Sequence, residues 1–164
     1  MEKFRAYLDI ETTGLFPEFS YITVIGIYME KEDEERFIQL VGEEITPSNL
    51  LYIVRDIKEI YTYNGSRFDL PFIKAKLDVD LKSFLPHIDL MYLCWERGLY
   101  GGLKVVEKKL GIERRLRNID GEVAVKLWYR YISHNDLYAL SLLLEYNRED
   151  VYNLKLIRER LEEF

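Results

Sequence analysis

Apolar and polar residues alternate from Phe4 to Glu11, and the run stops at Thr13-Gly14, the pattern of a strand closed by a turn. Tyr21 to Glu30, rich in Ile, Val, Thr and Tyr, reads as a second strand, and Glu35 to Val41 as a third. The acidic link Glu30-Lys31-Glu32-Asp33-Glu34 is too short for a crossover, so these first three strands are expected to pair antiparallel. Thr46-Pro47-Ser48 has the chemistry of a helix start, with Leu50, Leu51, Ile53, Val54 and Ile57 as its apolar stripe. Ile60 to Tyr63 then reads as a strand that Asn64-Gly65 turns into a helix from Asp69 to Leu77. A short strand is expected near His87-Ile88-Asp89, followed by helices over Leu90 to Arg97, Leu103 to Leu110 and Gly121 to Ile132. From Asn135 or Asp136 to Glu163, the residues Leu137, Leu140, Leu144, Val151, Leu154 and Leu161 recur with helical spacing, as the buried stripe of one long helix should. This order defines an α/β domain with a mixed five-stranded central sheet flanked by helices.

Composition narrows the class without naming a function. A chain of 164 residues suits one domain, residues 1–164, with a substantial core, and 48% hydrophobic with 32% charged residues is globular rather than disordered. No apolar run approaches the roughly 18 residues of a membrane span. The chain opens on Glu2 and Lys3 rather than a leader, so a soluble cytoplasmic protein without membrane contact is expected. The lone Cys94 has no disulfide partner and no ligand neighbour, which suits a packing residue in a reducing compartment. A net charge of -6 argues for no general polyanion affinity, although acids gathered around bound cations would contribute to it.

Three groups of residues carry candidate chemistry. Asp9 and Glu11 share one strand face about 7 Å apart, with Leu8 and Ile10 on the other. Two like charges so placed either form the wet face of an edge strand or share a divalent cation. Asn64-Gly65-Ser66-Arg67-Phe68-Asp69 follows a strand directly, where ligands gather in open α/β sheets. Asn64 could be only a turn residue and Asp69 only a helix cap, with Pro71 in the first turn. In the last helix, Tyr146 and Asp150 stand at i and i+4 on one face, close enough to share a ligand or a water. The same pair could be a part-buried aromatic beside a solvated acid.

Taken together, Asp9-x-Glu11, Asn64-x-x-x-Phe68-Asp69 and Tyr146-x-x-x-Asp150 resemble the three motifs of the DEDD superfamily of 3′-to-5′ exonucleases, in its tyrosine-bearing DEDDy branch. That superfamily has the ribonuclease H-like fold, whose element order this chain shares. The histidine branch places its His five residues before the last Asp, where this chain has Glu145, whereas Tyr146 stands where the tyrosine branch has its Tyr. His134 lies sixteen residues before Asp150, about 24 Å along a helix, and like His87 is assigned a structural role. The segments His87-Ile88-Asp89-Leu90 and Leu103 to Ile112 are similar to those of the YprB-type ribonuclease H-like predicted exonucleases, so the resemblance spans nearly the whole chain.

The resemblance implies a metal-dependent exonuclease that uses two divalent ions, Mg²⁺ or Mn²⁺, to cleave phosphodiesters at single-stranded DNA or RNA 3′ ends. On this reading Asp9 bridges the two ions, Glu11 and Asp150 complete the site that activates water, Asp69 supports the second ion, and Tyr146 orients the attacking water. The backbone of Glu11, Thr12 and Thr13, opened by Gly14, would approach the terminal nucleotide. Leu15 or Phe16 would meet its base, or else re-enter the core. Asn64 and Phe68 belong to the same substrate-facing motif. Lys104, Lys108, Lys109, Arg114, Arg115 and Arg117 form a basic region that either tracks a phosphate backbone or is a solvated face. Asp89 is expected to cap a helix. Without a second domain to grip a longer strand, action would be distributive unless a protein partner supplies affinity. The rival reading is an inactive ribonuclease H-like module that binds nucleic acid or protein.

Overall fold

Strand β1 (Phe4–Thr12) sends Phe4, Ala6, Leu8 and Ile10 into one apolar cluster and Tyr7 into another on the opposite face, so the alternation in the sequence divides the core in two. The computed structural model describes residues 2–163; Met1 and Phe164, the two ends of the expected 1–164 domain, lie outside the described residues. β2 (Ile22–Lys31) and β3 (Glu34–Val41) continue the sheet antiparallel, turning on Glu32 and Asp33 alone, with Glu32 at a φ of 44°. β4 (Ile57–Thr62) and β5 (His87–Asp89) add in parallel on the other side of β1, giving the order β3-β2-β1-β4-β5. The expected five-stranded mixed sheet, with its first three strands antiparallel, is therefore the observed one.

The expected boundaries around Ile57 are corrected. Helix α1 (Pro47–Val54), capped by the Thr46 hydroxyl accepting from the Asn49 N–H at 3.1 Å, ends before Ile57, which starts β4 and is not on the helix stripe. The reason is tertiary: the Asp56 carbonyl accepts the Phe4 N–H at 2.8 Å, and Ile57 pairs with Phe4 across the parallel ladder. The strand accordingly starts at Ile57 rather than Ile60 and ends at Thr62 rather than Tyr63.

Helices cover both faces. α1 and α2 (Asp69–Leu77) put Leu50, Ile53, Val54, Phe72 and Ile73 against the Leu8 and Ile10 face. On the other face lie α3 (Leu90–Glu96), α4 (Leu103–Lys109), α5 (Gly121–His134) and α6 (Leu137–Glu162). α6 lays Val151, Leu154 and Ile157 against Tyr7 and Tyr28, while Leu143 and Tyr146 meet Ala124, Leu127 and Trp128 of α5. Asn135, at a φ of 51°, separates α5 from α6, and Asp136 caps α6 by accepting the Ala139 N–H at 3.0 Å. Asp89 caps α3 as expected, accepting the Met91 N–H at 3.0 Å. Cys94 is fully buried in the α6-side core, and His87 Nε2 bonds the Thr62 hydroxyl at 2.8 Å.

Gly26 of β2 lies opposite Asp9 and lets α6 come close: a Cβ there would run into Asn147 Oδ1 and stand 2.9 Å from Val151 Cγ2. Gly26→Ala is expected to destabilise the fold by about 1–3 kcal/mol through overpacking, measured as a lowered urea midpoint at unchanged slope.

Candidate metal centre

The site forms where β1 passes beneath α6. β1 supplies Asp9 and Glu11 on the α6 side, next to the irregularity at Glu11/Thr12 that ends its regular pairing with β2. α6 supplies Asp150, and one carboxylate oxygen each from Asp9, Glu11 and Asp150 lie within 4.8 Å of one another. Asp69 approaches from α2. It is the first residue of that helix, whose cap is Phe68, and its Oδ2 accepts the Ile10 N–H at 3.0 Å, tying it to the backbone between Asp9 and Glu11. Tyr146, 5% exposed, stands one turn before Asp150 with Lys104 Nζ 5.0 Å and the Arg114 guanidinium 5.6 Å from its ring centre.

Acids crowded out of water raise one another's pKa values. Burial, then Glu11, Asp150 and Asp69, hold the Asp9 carboxyl well above the usual carboxylate range. Burial and Asp150 push Glu11 up to about 8. Asp69 rises to about 7 through burial, restrained by the Ile10 N–H, and Asp150 to about 6 through burial, restrained by Arg114. Burial and the same carboxylates raise the Tyr146 hydroxyl, so it stays protonated at neutral pH and is available as a donor. A buried, all-oxygen, multiply negative cluster fits a hard divalent cation such as Mg²⁺ or Mn²⁺.

Because these carboxyls take up protons more readily in the folded than in the unfolded chain, where they titrate near pH 4, the folded state holds extra protons between about pH 4 and 8. Metal-free stability should therefore be greatest at the acid end of that window and fall as pH rises through it. Thermal melts in EDTA across the window check the slope. Adding Mn²⁺ at a hundredfold excess over its Kd should restore about 2.7 kcal/mol at pH 8 and less at pH 5, where protons compete.

The other expected site residues are placed as follows. The Thr12 hydroxyl donates to the Gly14 carbonyl at 2.6 Å and the Thr13 hydroxyl accepts the Tyr21 N–H at 3.0 Å, so both brace the β1–β2 turn. Leu15 and Phe16 do not re-enter the core: they are 73% and 63% exposed, and Phe19 further along the loop is 88% exposed. Asn64, at a φ of 63°, donates its N–H to Asp89 Oδ1 at 2.8 Å. Phe68 is part-buried against the α1–α2 core and tilts onto Phe72, ring centres 5.4 Å apart. Glu145 is exposed and pairs with Arg115 at 3.7 Å.

The basic region divides. Lys104 reaches the site while donating to the Ile119 carbonyl at 2.8 Å, and Lys108, Arg115 and Arg117 are exposed. Arg114 is not a free cation. Its side chain is buried, forks onto both Glu107 oxygens at 2.7 Å and donates through Nη2 to Asp150 Oδ1. Asn153 secures the other side of Glu107 at 2.6 Å. Sequence reading missed this network, although Glu107 falls in phase with Leu103, Val106 and Leu110, and an acid on an apolar stripe needs a partner. It also assigned no role to Asn147, whose Nδ2 donates to the Asp9 carbonyl at 3.2 Å, Asp9 Oδ2 at 3.4 Å and Glu11 Oε2 at 3.3 Å.

A parallel-and-antiparallel sheet in this order, with acids meeting at the crossing of β1 and α6, defines a class. The RNase H superfamily profile matches residues 6–162, and the chain belongs to that superfamily. It is 31% identical over 163 residues to the uncharacterized protein YprB of Bacillus subtilis, covering 90% of this chain but 39% of that protein, so it spans about two fifths of that relative. Among solved structures, the family B DNA polymerase of Pyrobaculum calidifontis superposes with a TM-score of 0.71 at 17% identity, over 98% of this chain and 25% of the polymerase. A nuclease in its apo form superposes at 0.64 and 21% identity, over 96% of this chain and 70% of that one. At these identities the structural likeness establishes the fold. No helix among the described residues is long and apolar enough to cross a membrane.

Proposed function

We propose that this chain is a metal-dependent 3′-to-5′ exonuclease of the DEDDy type, acting on single-stranded nucleic-acid ends. The observation that carries the reading is the convergence of Asp9, Glu11 and Asp150 within 4.8 Å, with Tyr146 one turn away on the same helix. Likeness of fold to a nuclease supports it.

Asp9, Glu11 and Asp150 would hold the divalent ions, with Asp69, which accepts the Ile10 N–H, supporting the second. A pair of Mg²⁺ or Mn²⁺ ions, when bound, supplies charge to stabilise the attacking and leaving oxygens of the phosphodiester. The protein's share is positioning. Tyr146, protonated and buried, donates a hydrogen bond that orients the attacking water rather than removing its proton. Lys104, whose ammonium lies over the Tyr146 ring, places a positive charge beside the strand's phosphate. The exposed Leu15 and Phe16 offer apolar surface to the terminal base. A single strand held by these contacts alone would be released after each step, so this domain by itself acts distributively and a protein partner would raise affinity.

The test is digestion of 5′-labelled single-stranded DNA and RNA oligonucleotides with Mg²⁺, Mn²⁺ or EDTA, beside an Asp9→Ala, Asp150→Ala double variant. A metal-dependent ladder shortening from the 3′ end, lost in the variant, is expected. Equal inertness of both proteins, with metal and strand still bound by the wild type, would overturn catalysis in favour of a binding module.

A further inference from the structure

Asn147 is fully buried between α6 and the sheet, and every polar atom of its side chain is committed. Nδ2 faces the acids, donating to the Asp9 carbonyl, Asp9 Oδ2 and Glu11 Oε2 at 3.2, 3.4 and 3.3 Å. Oδ1 faces the opposite way and accepts from Gln39 Nε2 at 3.0 Å. Gln39 is itself anchored by donating to the Leu144 carbonyl at 2.8 Å, one helical turn before Asn147. An amide has two nearly isosteric orientations, and the donor from Gln39 on one side acts with the acceptors of Asp9 and Glu11 on the other to make this one the stable choice. The reverse orientation would aim a carbonyl oxygen at two carboxylates. Gly26, opposite Asp9, provides the room, since any Cβ there would collide with Asn147 Oδ1.

We propose that Asn147, oriented by Gln39, is a positioning residue that holds the Asp9 and Glu11 carboxylates in one arrangement for divalent-ion binding. This deepens the exonuclease reading and rests on it. One amide NH2 group shared between two acids on the same strand restrains both, and each still offers an oxygen for the cation. Because the orientation is set from β3, three strands' worth of structure is brought to bear on the pair: β3 through Gln39, β2 through Gly26 and β1 through the acids.

Two substitutions at Gln39 separate this role from a general structural one, because Gln39 touches neither acid. Gln39→Met removes the donor and leaves the Asn147 orientation to the acids alone. Gln39→Glu replaces the donor by an acceptor and favours the reversed amide, at similar volume. Mn²⁺ affinity is measured by calorimetry on wild type, both variants and Asn147→Leu, with thermal melting in EDTA as the folding control. Strand cleavage is followed separately as kcat and KM. The expected result is a tenfold or greater loss of Mn²⁺ affinity in Gln39→Glu and Asn147→Leu, with a smaller loss in Gln39→Met. kcat should fall with affinity while KM for the strand stays within about twofold, as for outer residues that orient ligands. Equal Mn²⁺ affinity in Gln39→Glu and Gln39→Met, with both folded, would overturn the proposal. Wild type that binds no Mn²⁺ would instead overturn the exonuclease reading, and the positioning role with it.

Discussion

Asp9→Asn is expected to lose cleavage by roughly 10⁴-fold while melting higher than wild type in EDTA. The first effect follows if the acids act as a unit, since removing one member of such a group costs nearly as much as removing all. The second follows from the charge geometry. Asp9 faces Glu11, Asp150 and Asp69, and all four sit with raised pKa values because burial and mutual repulsion disfavour ionisation. An amide of the same shape is neutral without taking up a proton, and its N–H can meet a neighbouring carboxylate. The pH slope of metal-free stability should flatten in the same variant, and Mn²⁺ should cease to stabilise it. Paired melts in EDTA and Mn²⁺, beside single-turnover cleavage, check all three. An unchanged rate in Asp9→Asn would remove the acid cluster from the chemistry. A site that destabilises the fold until a cation arrives is the usual exchange of stability for function.

Arg114→Met should lower stability by about 3–5 kcal/mol, the largest loss expected from a single substitution outside the apolar core. Met keeps about the length of the aliphatic stem but not the guanidinium, and abandons Glu107 and Asp150, both nearly without solvent, as uncompensated acids. Burial of the guanidinium is offset by those two carboxylates, which hold its pKa above the ordinary value. Pairing Arg114→Met with Glu107→Leu should recover part of the loss, because it removes the Glu107 charge together with its partner while Asp150 stays buried without its cation. Denaturant titration of the two single variants and the double one measures the coupling; strictly additive losses would show that Arg114 and Glu107 do not act as a pair. Arg114 also restrains the Asp150 carboxyl, whose pKa is held to about 6 against burial. The Arg114→Met variant should accordingly shift the fall in metal-free stability toward higher pH.

Much of this molecule was legible in one dimension. Alternation in β1 placed Asp9 and Glu11 opposite Leu8 and Ile10, and the sheet obeys it because side-chain direction in a strand is a local property with a period of two. Helical spacing likewise put Tyr146 and Asp150 on one face of α6. The short acidic link decided that β2 and β3 pair antiparallel. Residue type at fixed spacing thus carried the fold class and the identity of the candidate acids.

What the chain order left open was decided by contacts between residues far apart in it. Ile57 has the spacing of a helix residue after Val54 but joins β4, because pairing with Phe4 outweighs another helical turn. Arg114 belongs by sequence to a solvated basic run, yet it is drawn inside by Glu107 and Asp150, and Coulomb attraction between buried groups is invisible until they meet. Asn147 reads as one more polar helix residue. Its surroundings come from Gln39, 108 residues away, which holds its amide oxygen, from Asp9 and Glu11, which accept from its amide nitrogen, and from the missing side chain at Gly26, which gives it room. Local periodicity determines which face a side chain takes; only the packed chain determines what it faces, and there desolvation, charge and hydrogen bonding set its chemistry.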